Sequence, residues 1–542
     1  MTTDRSIRRL SGTLAFAVAV LMPHWAVAQD APLNPHEPPP PDPALLSTPA
    51  DGPPPPAPRV VSEKERGPAR TIRADMAAAF LRFETAFAAA KPSGDALARA
   101  SADFDRATFS FFRNDRPAAV RLLDLGTLKL RGLLPHPQAR CLETLRVRVE
   151  PPVWVFYASP APTIFVRPAE GLSPPDRQPD LSVRLEPVAG DGGVQVRVPT
   201  PADLWTAGAA IDLSPLAREL KPARYRVLLV GEGLSWEVGS WTVTSASLDA
   251  ARAVFLDRTD RIAARRPELA PAMTTFRSRA ALLKDKPSDA RTIDIVTDPI
   301  ALESDLHAEI AALEAGRDPY LRRAGSTYGV FASSGVDIPC WTHAPERLLN
   351  QPAPLVIALH GAGGDECLFM FGYGAGAIQR EADARGFILL SPLAYAFTAN
   401  PAVLDDLIAD AKRRYKIDES RIYLIGHSMG GIAASGLAQA RAGLIAGAAA
   451  IAGLRPFTPD RPSAPVLALG AQFDPIIPEA RVRTNAEAAQ KAGLPVEYRE
   501  VKHHGHTLVV GDQLGACLDW LMRRTLARTQ NMDPHGDTNA GK

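Results

Sequence analysis

Cysteine is nearly missing from this chain. Four in 542 residues are too few for a disulfide scaffold, and no CxxC pair suggests a zinc site. An excess of one charge is missing too. With 61 basic against 60 acidic residues the net charge is +1, which gives no reason to expect a nucleic-acid or anionic-membrane binder. There is no long hydrophobic run, since the apolar stretch Leu14 to Met22 is too short to span a bilayer comfortably. Apolar residues at 46% and charged residues at 22% exclude wholesale disorder and a polytopic membrane protein. What is abundant is proline, 51 in all, and length. At about 100–200 residues per domain the chain is too long for one ordinary domain.

The N-terminus reads as an export signal over residues 1–28. Arg5, Arg8 and Arg9 form a basic start, the short apolar run follows, and Ala26-Val27-Ala28 supplies small residues before Gln29. Without that segment 58 basic and 59 acidic residues remain, a net charge of −1. Residues 29–59 hold thirteen prolines. Proline fixes φ and removes the backbone donor, so residues 29–70 are expected to be an extended tether, suited to attachment at the cell envelope. Localisation is expected to be periplasmic or extracellular.

Residues 71–140 are expected to be helical. Phe80, Phe83 and Phe87 recur at helical spacing, Phe104, Phe109, Phe111 and Phe112 follow, and a break falls near Lys91–Gly94. The aromatic stripe reads as core packing. From 141 to 247 the period switches to two, as in Leu145, Val147, Val149 and in Val194, Val196, Val198. Short strands between Gly- and Pro-bearing turns predict a small antiparallel β-sandwich. Trp154, Trp205, Trp236 and Trp241 fall there and read as core and hairpin aromatics, with stacking on sugar rings as the other reading. Residues 248–324 look like a helical connector, with Pro267 and Pro271 as breaks.

From 325 to 527 strands and helices alternate. A continuous apolar run at 354–359 suits a strand covered on both faces, and the stretches 387–390, 421–425, 446–451, 466–469 and 496–501 read as further strands. Helical stretches at 402–415, 430–441 and 480–492 separate them. A mostly parallel sheet with helices on both faces is the predicted fold, and such sheets bind ligands at the carboxyl ends of their strands. Residues 528–542 read as a disordered tail.

Three of those strand ends carry reactive residues. Gly426-His427-Ser428-Met429-Gly430 follows a strand and opens a helix, the G-x-S-x-G setting of a nucleophilic serine on a strained turn. His360-Gly361-Ala362-Gly363-Gly364-Asp365 ends another strand and lets backbone approach a substrate oxygen. The amides of Met429 and Ala362 are the candidate oxyanion donors, with Gly361 as the fallback. The loop lacks the Lys-Ser/Thr of a phosphate-binding loop. Asp474 follows the strand at 466–469, and His506 lies beyond the last strand in His503-His504-Gly505-His506. Serine needs a base, and the base an orienting carboxylate. Ser428, Asp474 and His506 stand in the Ser…Asp…His order of this fold. His506 is preferred because Gly505 frees the loop and His503 is expected on the strand, although His503 and His504 compete. No regular ligand spacing suggests a metal. Cys340 and Cys367 either pair or stay free and buried, as does Cys517; Cys141 lies far upstream.

Residues Pro354–Asp365, Gly376–Pro392, Asp418–Gly431, Asp474-Pro475 and Gly505-His506 together resemble the α/β-hydrolase superfamily. Within it they look like secreted esterases related to polyhydroxybutyrate depolymerases and feruloyl or acetylxylan esterases, and they are also similar to prolyl-oligopeptidase-type catalytic domains. The resemblance covers roughly residues 325–525 and implies a serine hydrolase that cleaves carboxylic esters, small or polymeric, with no cofactor and no nucleic-acid partner. The residues leave two other readings open: a prolyl-oligopeptidase-like serine peptidase, and an inactive cell-surface binding protein.

Overall fold

The computed structural model describes residues 69–526 except 135–143, 157, 159, 170–179, 190–192, 198–207 and 232–233. The expected export signal, most of the tether, the whole expected tail, Cys141 and Trp205 fall outside the described residues.

The first helices are α1 (Arg73–Ala90), α2 (Gly94–Phe112) and α3 (Arg116–Leu130). Lys91 takes the left-handed conformation at φ 44° and closes α1, and Pro92 cannot continue it. Asp115 caps α3, accepting from the Ala118 amide at 3.1 Å. Phe83, Phe104, Val120 and Leu123 form the core of this trio, and Leu508 of the C-terminal domain packs into the same cluster.

The period-two stretch folds into β1 (Leu145–Glu150), β2 (Val153–Val155), β3 (Thr163–Pro168), β4 (Leu181–Pro187), β5 (Val194–Arg197), β6 (Ala209–Asp212), β7 (Ala223–Gly231) and β8 (Leu234–Thr244). They form a three-stranded sheet in the order β1-β3-β6 and a five-stranded sheet in the order β2-β8-β7-β4-β5. One core joins the two, with Val147 and Ile164 from the first sheet meeting Val183, Val227 and Trp241 from the second. The sandwich is antiparallel except where β2 runs parallel to β8. Trp154, Trp236 and Trp241 are each 2% exposed, so sugar stacking on them is closed off.

The connector consists of α4 (Leu248–Ala263), α5 (Ala270–Ala280), the short α6 (Thr292–Val296) and α7 (Pro299–Glu314). Pro271 does not break α5 but lies in its first turn, where its missing donor costs nothing. The connector core reaches from Val153 of the sandwich to Tyr328 of the next domain.

The C-terminal domain holds an eight-stranded sheet. Its strands are β9 (Gly325–Ser333), β10 (Val336–Ala344), β11 (Ala353–Leu359), β12 (Ile388–Pro392), β13 (Ile417–His427), β14 (Gly447–Ile451), β15 (Val466–Ala471) and β16 (Val496–Val501), in the order β16-β15-β14-β13-β11-β12-β10-β9. From β12 to β16 all pairs are parallel. The hairpin of β9 and β10 adds an antiparallel edge that the apolar runs did not reveal. Its strands are half polar, unlike the central runs. Successive residues of β11 serve opposite faces. Leu355, Ile357 and Leu359 face the core shared with α10 (Ala402–Arg414), α11 (Met429–Ala440) and α12 (Glu479–Lys491). Val356 and Ala358 meet α8 (Ala377–Arg385) and α13 (Val509–Met522), while the short α9 (Tyr395–Ala399) follows β12. Cys340, Cys367 and Cys517 are buried and free, so Cys340 and Cys367 do not pair.

Candidate active site

The site is built where β13 turns into α11. Ser428 sits between them at φ 54°, ψ −117°, a conformation that costs about 1–3 kcal/mol and persists only where the surroundings impose it. The flanking glycines show why. A Cβ on Gly426 would lie 2.1 Å from the Gly430 carbonyl oxygen, and one on Gly430 would lie 1.9 Å from that of Leu359. No other residue lets β11, β13 and α11 approach so closely. The Ser428 amide donates to the Ile451 carbonyl at 2.8 Å, which ties the turn to β14.

His506 Nε2 lies 3.0 Å from Ser428 Oγ, and His506 Nδ1 lies 2.7 Å from Asp474 Oδ2. The other Asp474 oxygen accepts the Ile476 and Ile477 amides, each at 2.8 Å, so the carboxylate cannot swing away. With Nδ1–H donated to Asp474, Nε2 is the lone pair facing the serine hydroxyl. All three residues are buried.

The competing histidines point elsewhere. His503 is not on β16, which ends at Val501; it sits in a turn at φ 61°. His504 Nδ1 lies 2.8 Å from the Lys502 carbonyl, and its Nε2 faces Asp512 at 3.1 Å. His427 donates Nε2–H to the His506 carbonyl at 2.9 Å, and Tyr373 donates to its Nδ1 at 2.7 Å. Burial, then the neighbouring His506, holds the His427 ring well below the ordinary imidazole range, so it stays neutral. His360 is likewise framed by backbone: the Ala394 amide donates to its Nε2 at 2.9 Å, and its Nδ1–H reaches the Gly361 carbonyl at 2.8 Å.

The loop at 360–365 leaves one donor open. The Gly361 amide turns toward Tyr373 Oη. The Gly363 amide donates to Tyr395 Oη at 2.7 Å, and the Gly364 amide donates to the Gly361 carbonyl at 3.2 Å. Among the described residues the Ala362 amide has no partner. Met429 is the first residue of α11, so its amide is one of the unsatisfied donors of a helix start.

Sequence reasoning missed the contribution of α1 and α2. Asp105 of α2 accepts the His506 amide, 3.1 Å from each oxygen. A Cβ on Gly505 would lie 1.8 Å from Asp105 Oδ2, so this glycine makes room for a carboxylate as well as bending a loop. Burial pushes the Asp105 carboxyl up to about 7, with His506 and its backbone amide pulling the other way. The aromatic stripe is not only core. A cavity of about 170 Å³ opens over Ser428, His506 and Ala362, and its far wall includes Phe80, Phe104 and Phe111. The one trace in the sequence is an acid within each aromatic stripe: Glu84 between Phe80 and Phe87, and Asp105 one turn before Phe109.

Residues 355–529 match the family model described as the alpha/beta hydrolase family. Among solved structures, S-formylglutathione hydrolase (FrmB) from Staphylococcus aureus is 14% identical, covers 37% of this chain and 98% of its own, with a TM-score of 0.31. A thermostable esterase is 15% identical over 70% of this chain and 99% of its own, with a TM-score of 0.34. The acylaminoacyl peptidase of Pyrococcus horikoshii is 14% identical over 38% of this chain and 43% of its own, with a TM-score of 0.31. No curated protein matches the chain. The C-terminal part of this protein is an α/β-hydrolase domain, carried behind separate helices and a β-sandwich.

Proposed function

We propose that the protein is an exported serine hydrolase that cleaves carboxylic esters through an acyl-enzyme, with Ser428 as nucleophile, His506 as base and Asp474 as its orienting carboxylate. The observation that carries this reading is the chain Asp474–His506–Ser428 at 2.7 and 3.0 Å, ending on a strained turn. Ser428 Oγ attacks the ester carbonyl while His506 Nε2 takes its proton, and Asp474 stabilises the imidazolium that forms. The carbonyl oxygen becomes an oxyanion held by the Ala362 and Met429 amides, donors in place before charge develops. Collapse expels the alcohol, which receives the proton from His506. Water, deprotonated by the same ring, then releases the acid and restores Ser428. The export pattern of residues 1–28 supports a periplasmic or extracellular location, with the Pro-rich tether as a spacer to the envelope.

The test is Ser428→Ala. Labelling by a fluorophosphonate probe should vanish, and turnover of p-nitrophenyl acetate should fall by about 10⁴-fold or more. A labelled Ser428→Ala protein would overturn the nucleophile. Turnover of a proline-linked anilide without any ester turnover would overturn the ester reading.

A further inference from the structure

We infer that α1 and α2, which lie outside the hydrolase domain, build beside Ser428 a subsite for a compact, uncharged hydrocarbon group of the substrate. The inference rests on the ester chemistry proposed for Ser428 and adds what the ester must look like.

The cavity runs from Ser428 and Ala362 to Met76, Phe80, Phe104 and Phe111, so the catalytic end comes from one domain and the roof from another segment. Both helices press on the domain beneath. The Phe111 ring sits where a Cβ on Gly363 would lie, at 2.5 Å, and the edge of Phe80 would meet a Cβ on Gly372 at 3.2 Å. Phe80 stacks edge-on against Phe104, ring centres 5.2 Å apart, which holds both rings in place.

Most polar groups of the outer wall already have partners. Arg73 is paired with Asp365 at 2.9 Å, and Thr292 donates to the same Asp365 oxygen at 2.5 Å. Thr108 donates to its own helix at the Phe104 carbonyl, 3.1 Å away. Burial raises the Cys367 thiol well above its ordinary range and keeps it neutral. Tyr373 is committed to His427. A carboxylate in this space would meet an arginine already neutralised, and a sugar would lose water from several hydroxyls and find few partners on these walls, which is unfavourable. An alkyl or phenyl group gains from the same walls. Size sets the upper bound. An apolar cavity of about 150 Å³ takes up benzene, so 170 Å³ suits a phenyl ring or a straight chain of about six carbons.

The hydrocarbon can belong to the acid or to the alcohol half of the ester, and two substrate series separate them. One is p-nitrophenyl esters of straight-chain acids from two to twelve carbons. The other is acetates of straight-chain alcohols from one to eight carbons. In one series kcat/KM should rise about fourfold per methylene and then fall beyond about six carbons. Ala77→Phe narrows the half-buried α1 wall of the cavity and should move the cut-off to shorter chains. Phe80→Ala should move it to longer ones. Flat profiles in both series, or a cut-off that neither variant moves, would overturn the subsite. Fluorophosphonate labelling of the same proteins keeps the two readings apart. A labelled Ser428 with flat profiles defeats the subsite alone, whereas an unlabelled full chain defeats the chemistry on which it rests.

Discussion

Asp105 lies 401 positions before His506 and yet holds its backbone. Its carboxylate also faces the Thr507 amide, so one side chain of α2 braces the loop that carries the proposed base. Removing it leaves buried amides without an acceptor, at about 1–3 kcal/mol each, and frees the loop to shift. A displacement of about 1 Å at a reacting group costs about 10²-fold in rate. Asp105→Leu should therefore lower kcat for p-nitrophenyl acetate by about that factor, with KM little changed, because the side chain touches the base's backbone and not the substrate. Asp105→Asn retains an acceptor oxygen and should recover most of the loss. Equal loss in both variants would mean that charge, not loop position, is what Asp105 supplies. An unchanged kcat in Asp105→Leu would remove it from the site altogether.

The strand–turn–helix unit around Ser428 is legible in the sequence because a buried parallel strand needs a continuous apolar run and a tight turn needs small residues. Both requirements act within a dozen residues. The loop that carries Asp474 is legible for the same reason, whereas the strand before His506 runs Val496-Glu497-Tyr498-Arg499-Glu500-Val501 and is apolar only at its ends. The β9–β10 hairpin is not, since an edge pair needs no such run. The role of α1 and α2 is not legible either. Helical periodicity says which face of Phe80, Phe83 and Phe87 is buried, but nothing local says that the His506 loop lies against these helices. Glu84 is the exception, an acid within the apolar face of α1. Its carboxylate accepts the Gly374 amide at 3.2 Å, tying α1 to the loop before α8. Burial pushes it up from the ordinary 4.5 to about 8, against that hydrogen bond. Between those two values the folded chain holds a proton that the unfolded chain has lost. Stability therefore falls as pH rises through this window, by about 1.4 kcal/mol per unit. Asp105 acts in the same direction between 3.8 and about 7. The thermal midpoint of the full chain should drop from pH 5 to pH 8, and Glu84→Gln should flatten part of that slope. Identical slopes in the two proteins would show that Glu84 ionises freely in the fold.

Across the whole molecule, α1 to α3 are the joint. Arg82 of α1 donates to Asp124 of α3 at 2.6 Å and to the Glu237 carbonyl of the sandwich at 2.6 Å, and its guanidinium lies 5.0 Å from the Trp236 ring centre. On the other side the same helices bury Leu508, hold His506 and roof the cavity. The family model covers residues 355–529, but the proposed site reaches beyond them. This separates two truncations. Ala69 is the first described residue, and its amide donates to the Pro168 carbonyl at 2.9 Å, so a chain beginning at residue 69 keeps every contact described above. Its kcat/KM for p-nitrophenyl acetate should stay within about twofold of the full chain's, a difference of under half a kcal/mol in the barrier. A chain beginning at residue 131 keeps Ser428, His506 and Asp474 but loses Asp105 and the aromatic roof. It should lose at least about 10²-fold in kcat and bind a hydrophobic dye through the apolar surface it uncovers. Circular dichroism on both proteins would tell loss of the site from loss of the sheet. Full turnover by a well-folded chain from residue 131 would show that the hydrolase domain works alone and that the helices above it are ornament.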